Sequence, residues 1–221
     1  MWRFALFSTV VAASVLFAGS SSAAVLHLES IDGDFSDDSK APTPLRAKLG
    51  SNIVGGTSNA PNATSWDADF FTLTVSEPWL LSRLDLEAYQ QSAPTPDEVP
   101  GQLADRGAFL AVERGPVFAD PKDGDEMIGA GLIGVQTGRR VGDDLLVALG
   151  VEQDYWEKGF VPPLPAGEYT FWYQQTRGST EYTFDFVVTP LPAALPLFAG
   201  ASGILAWMGW RRRHSRQATP S

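Results

Sequence analysis

Cysteine is absent from all 221 residues, which excludes disulfides, thiolate metal ligands and a cysteine nucleophile. Histidine is nearly absent as well. Of the two present, His214 sits in a C-terminal arginine cluster, so a Ser-His-Asp arrangement would depend on His27 alone, and no two-His zinc spacing exists. His27 lies in a short apolar segment, where a structural role is expected. Basic residues are scarce between the ends: residues 25–189 hold 11 of the 16 Lys and Arg but all 26 Asp and Glu, a net charge of −15. Such a surface repels nucleic acid and anionic lipid and suits a solvated protein or one that binds cations. Internal repeats are missing, and the pattern shows little helical periodicity and no second domain.

Charge is also missing from one long run at each end. Residues 4–18 are uncharged and apolar behind Arg3, and Ser20, Ser21, Ser22, Ala23 and Ala24 follow as small residues. This is the pattern of a signal peptide over residues 1–24, cut by signal peptidase after Ala24; the run is short for a membrane anchor. Residues 194–210 form the second run, and 17 residues at about 1.5 Å each just cross a thin hydrocarbon core. Arg211, Arg212, Arg213, His214 and Arg216 follow at once and hold that end in the cytoplasm, with residues 217–221 as a short tail. The two ends agree on one topology, with the domain outside the inner membrane and the arginines inside.

Between them, alternation at period two predicts strands. Phe71, Leu73 and Val75 alternate with Thr72 and Thr74. Leu80, Leu84, Leu86 and Ala88 share a face opposite Arg83, Asp85 and Glu87. Tyr169, Phe171 and Tyr173 oppose Thr170, Trp172 and Gln174, and Tyr182, Phe184, Phe186 and Val188 oppose Thr183 and Asp185. Arg177-Gly178-Ser179 between the last two segments reads as a hairpin turn. Residues 55–65, 91–102 and 120–126, rich in Gly, Asn, Ser, Pro or acidic side chains, read as loops. The expected fold is all-β: one antiparallel β-sandwich or jelly roll over residues 25–189, flanked by the signal peptide and the C-terminal transmembrane helix.

Catalytic signals are thin. A glycosidase needs only two carboxylates, but nothing singles out a pair among 26. For a ligand, Ca²⁺ is the best match. Asp32, Asp34 and Asp37 crowd a loop with Gly33 and Asp38, and Asp67 and Asp69 lie ahead of a strand, where they either add hard oxygen ligands or cap the strand and face water. Trp66, Trp79, Trp156 and Trp172 raise a carbohydrate-stacking reading. Trp172 is the candidate contact, because it alternates away from the three aromatics beside it; packing under a loop is the competing reading.

Thr189-Pro190-Leu191-Pro192-Ala193, an apolar helix and an arginine cluster together resemble the VPLPA variant of the PEP-CTERM sorting signals, with Thr189 where the family usually has Val. The resemblance covers residues 190–216. It implies that an exosortase, a transpeptidase-like membrane protease, recognises Pro190, Leu191, Pro192 and Ala193 and cuts near them, leaving Arg211–Arg216 in the membrane. Asp67-Ala68-Asp69-Phe70-Phe71-Thr72-Leu73-Thr74-Val75 and Ala166-Gly167-Glu168-Tyr169-Thr170-Phe171 resemble the two ends of the bacterial pre-peptidase C-terminal (PPC-like) β-sandwich, although the stretch between them is longer here. Together the resemblances imply an exported, non-catalytic cell-surface or matrix protein, structural or adhesive in an exopolysaccharide layer. A calcium-dependent carbohydrate-binding module and a secreted hydrolase are the alternatives.

Overall fold

The computed structural model describes residues 22–60, 67–92, 107–134, 139–151, 158–175 and 177–192. The apolar run expected as a signal peptide, Ala193, the expected membrane helix over 194–210 and Arg211, Arg212, Arg213 and Arg216 lie outside the described residues.

Among the described residues, nine strands form two sheets. One runs in the order β1 (Ala24–Leu28), β3 (Asn52–Ala60), β9 (Gly178–Pro190) and β5 (Trp79–Gln91). The other runs β2 (Thr43–Arg46), β4 (Ala68–Val75), β8 (Gly167–Gln175), β6 (Ala108–Arg114) and β7 (Met127–Ile133). Two short helices, α1 (Glu29–Asp32) and α2 (Leu145–Leu149), complete the described elements together with a 3₁₀ turn at Gly124–Glu126. The all-β, two-sheet expectation holds. Purely antiparallel pairing does not: β1 lies parallel to β3, and β2 parallel to β4. Parallel neighbours need a crossover rather than a hairpin. Here the chain supplies it by alternating between sheets, so that β2 is the crossover from β1 to β3, and β3 the crossover from β2 to β4.

The hairpin expected around Gly178 is a second correction, since β8 and β9 belong to opposite sheets. Each strand carries a full row of aromatics, and each row needs an apolar partner. Placing the strands face to face across the sandwich gives both rows one another. Phe171 meets Phe186 at 5.0 Å between ring centroids, and Tyr173 meets Tyr182 at 4.0 Å. Phe71 from β4 joins Phe171 and Phe186, so the centre of the core is aromatic and all three rings are fully buried. Edge-to-face and offset pairs of this kind add to the area they remove from water.

Residues 55–60 are a third correction, because they continue β3 rather than forming a loop. The two glycines reflect crowding. A Cβ on Gly56 would stand 2.6 Å from the Glu29 carboxyl carbon, and one on Gly55 would stand 3.0 Å from the Tyr182 carbonyl oxygen. In β5 the buried row is Leu81, Leu84 and Leu86, because register shifts after Leu81 and Leu86 turn Leu80 partly outward and expose Ala88.

The outer face of the five-stranded sheet is partly roofed. Phe118 packs with Phe70, Ala111, Met127 and Ala130, and Trp172 sits among them. Elsewhere, fully buried Asn52 ties three parts of the chain. Its Nδ2 donates to the carbonyls of Lys48, Gly50 and Phe186, and its Oδ1 accepts from the Lys48 N–H at 2.7 Å. This satisfies the amide and fixes the turn that leads into β3.

Candidate functional site

The connection after β1 and the start of β4 bring acidic side chains together. The chain leaves β1 into the single turn of α1 and the loop that follows, which places Glu29 and Asp34 beside β4, where Asp69 points inward. One carboxylate oxygen from each of Glu29, Asp34 and Asp69 lies within 4.8 Å of the others. The three differ in environment: Asp34 is exposed, Glu29 half-buried and Asp69 0% exposed.

Glu29 is held from two sides. Its Oε2 accepts from the Thr57 N–H at 2.6 Å and its Oε1 from the Phe35 N–H at 3.3 Å, and the absent Cβ of Gly56 leaves room for the carboxylate. His27 steadies the same loop through Nε2, 2.8 Å from the Gly33 carbonyl, and stacks on Phe35 at 4.1 Å, which is a structural use. Asp69 accepts from the Tyr182 hydroxyl through Oδ2 at 2.8 Å, while its Oδ1 is buried with no hydrogen-bond partner. An orphaned carboxylate oxygen in a protein interior is costly unless a proton or a cation meets it.

The electrostatics follow from that enclosure. Burial, with Glu29 nearby, pushes the Asp69 carboxyl up to about 9, against the pull of the Tyr182 hydrogen bond. Burial also pushes Glu29 up to about 7; its two backbone hydrogen bonds oppose the rise and Asp34 adds to it. Asp67 is raised in the same direction, chiefly by burial.

The five aspartates expected as calcium ligands thus separate. Asp34 and Asp69 converge. Asp32 instead accepts from the Leu28 N–H at 2.9 Å, Asp37 from the Ala68 N–H at 3.2 Å, and Asp67 from the Asn59 N–H at 3.1 Å. In each of the three, one carboxylate oxygen is taken by a backbone N–H, four, thirty-one and eight residues away in the chain. Glu29 is the member that sequence reasoning missed, because its partners are five and forty residues away and only the fold brings them to it.

Trp172 does not present an open platform. Phe70 stacks on it at 5.7 Å, and Phe109 and Phe118 meet it edge-on at 4.8 and 5.5 Å. Phe118, from the connection after β6, is the loop residue against the half-buried ring. Trp79 packs against the main core, and Trp66 and Trp156 lie outside the described residues.

Chemically, neighbouring carboxyls with raised affinity for protons suit either proton exchange or cation binding. Substrate attack is the poorer match, because Asp69 is enclosed and both Glu29 oxygens are engaged by backbone N–H groups. Beside the cluster lies a shallow depression of about 280 Å³, lined by Glu29, Ser30, Gly55, Gly56 and Tyr182 among others. No protein-family model matches the chain, and comparison with curated proteins and with solved structures finds no match.

Proposed function

We propose that this is an exported, non-catalytic surface protein. A signal peptide takes the sandwich across the inner membrane, the apolar tail and its arginines hold it there, and an exosortase-type protease frees it at Pro190-Leu191-Pro192-Ala193. The product is a PPC-like sandwich with a structural or adhesive role in the cell-surface or exopolysaccharide layer. One observation supports the reading most. The described strands run from β1, which begins at Ala24, to β9, which ends at Pro190, and so span the interval between the two targeting patterns, meeting each at a single residue. The surplus of acidic residues keeps such a domain soluble outside the membrane. The intact mass of protein from cells and from medium tests this. A species starting near Val25 and ending near residues 190–193 is expected, and a membrane-bound species keeping Arg211–Arg216 would sink the sorting reading.

A second reading, that the sandwich carries Ca²⁺, is favoured by the unpartnered Asp69 Oδ1 within the Glu29–Asp34–Asp69 cluster. Three carboxylates supply the hard oxygens that Ca²⁺ prefers, with water completing a shell of about six to eight ligands. Bound cation would neutralise a cluster that otherwise has to hold protons. Calorimetric titration of chelator-treated protein with CaCl₂ at pH 7.5 checks this. The expectation is one binding event accompanied by proton release, because Glu29 and Asp69 must ionise to ligate; a flat titration would dismiss the site.

A further inference from the structure

The peptide on which the sorting reading rests occurs twice in the chain. Val161-Pro162-Pro163-Leu164-Pro165-Ala166 matches Val188-Thr189-Pro190-Leu191-Pro192-Ala193 at five of six positions. Six residues are too few to make a structural repeat, but a protease that reads Pro-Leu-Pro-Ala meets the same four side chains at both places. On the sorting reading both copies lie on the outer side of the membrane, so something has to keep the first from being read.

The fold treats the two copies differently. They flank the start of β5: Leu81 bridges to Leu164 on one edge and lies in register with Val188 on the other. In the internal copy Leu164 is 1% exposed and packs in the main core. Its N–H donates to the Leu81 carbonyl, and its carbonyl accepts from the Leu81 N–H, both at 2.9 Å. The next carbonyl, that of Pro165, accepts from the Tyr169 hydroxyl at 2.6 Å. In the terminal copy Pro190, Leu191 and Pro192 are all exposed, Leu191 by 37%. Pro163 and Pro165 are exposed as well, so the prolines do not separate the copies. The leucine does: it is a core residue in one and a surface residue in the other.

Proteases bind substrate as an extended strand, so a peptide paired along a sheet edge has to open first, and its cleavage follows the population that has opened. Opening the internal copy takes Leu164 out of the core and uncovers the edge of β5. We propose that Pro163-Leu164-Pro165-Ala166 is a latent second processing site for the same protease, silent in the folded domain and cut in a chain that has not folded; this rests on the sorting reading above. The chemistry is peptide hydrolysis. Water adds its oxygen to the carbonyl carbon, the C–N bond breaks, and the two ends leave as a carboxylate and an ammonium group. A cut here separates the chain before β8 and β9, which are interior strands of their two sheets. Neither sheet can then be completed, and the larger fragment also loses its membrane tether. The masked copy thus diverts unfolded chains away from surface delivery.

Mass spectrometry of every C-terminus from the full chain, recovered from the cells that make it, provides the test. Wild type should end within residues 190–193, with little or no end within 163–166. Phe171→Ala, which opens the core beside β8 without touching either copy, should raise the fragment ending within 163–166 by about tenfold or more, and most of all if the variant fails to fold. Adding Pro165→Ala, at an exposed position whose carbonyl is kept, should abolish that fragment. Wild type cut at both copies alike would overturn the masking. A Phe171→Ala chain without the internal fragment, or with one that survives Pro165→Ala, would overturn the latent site and leave the sorting reading intact. Wild type cut at neither copy overturns both.

Discussion

Metal-free protein should lose stability steadily as the pH rises from about 4 to about 9, and Asp69→Asn should remove most of that loss. The sign follows from where the protons sit. The Asp69 carboxyl ordinarily titrates near 3.8, but in the fold it is pushed up to about 9 by burial. Between those values the folded state holds a proton that the unfolded state has released, so each rise in pH favours unfolding. The stabilisation is complete below the unfolded value and lost as pH climbs through the folded one. Glu29, raised to about 7, adds to the slope in the lower half of the range. Each tenfold difference in proton affinity between the folded and unfolded chain is worth about 1.4 kcal/mol, so the Asp69 contribution at pH 7 is a few kcal/mol, at most about 4. For a domain of this size that is roughly 10 °C in Tm. Asparagine keeps the shape without the charge, so metal-free Asp69→Asn should be more stable than wild type at pH 8, and close to it at pH 4. Urea melts in EDTA at pH 4, 6 and 8 measure this. A variant equally destabilised at every pH would mean that Asp69 serves packing and the Tyr182 hydrogen bond alone.

Phe171→Ala should cost about 3–5 kcal/mol, enough to consume a large part of the stability of an average domain. Phe171 is fully buried and touches both sheets, stacking on Phe71 at 5.5 Å within its own sheet and meeting Phe186 edge-on across the core. Its removal leaves a cavity walled by other rings and by β-sheet backbone, which collapse poorly. With no disulfide to hold the sheets together, that loss has no covalent backstop. Phe171→Leu, which restores much of the volume, should recover about half of it. Guanidinium melts of the three proteins check the prediction, and a cost under about 1 kcal/mol for the alanine variant would show that this aromatic cluster is not the centre of the core.

Strands β4, β8 and β9 were legible because each carries aromatics or leucines at period two, and these rows are the buried ones. The identity of the core face was therefore readable, as was the direction of Trp172 away from it. What the periodicity did not carry was the partner of each row. Gly178 reads as a hairpin turn on local grounds, yet two adjacent aromatic rows gain more by facing each other across the sandwich than by lying side by side. β3 was missed because Gly55, Gly56, Ser58 and Asn59 lack strand propensity; the two glycines are there because Glu29, Leu28 and Tyr182 crowd the strand. The acidic site was half legible. Asp34 and Asp69 were among the candidates, but counting carboxylates cannot distinguish an oxygen free for a ligand from one already bound to a backbone N–H, as one is in each of Asp32, Asp37 and Asp67.

The place of β9 in its sheet has a consequence for timing. Among the described residues, the last strand in sequence is inserted between β3 and β5, and β1 pairs in that sheet with β3 alone. On the export reading proposed above, the four-stranded sheet would stay in two pieces, β1–β3 and β5, until residues 178–190 had cleared the membrane. Most of its pairing is long-range, which makes for slow closure with strand edges exposed in the meantime. A chain tethered by the segment just after β9 would complete its fold while still anchored, apart from its fellow chains. Release would then follow folding, and the tether would act as a waiting room as much as an address.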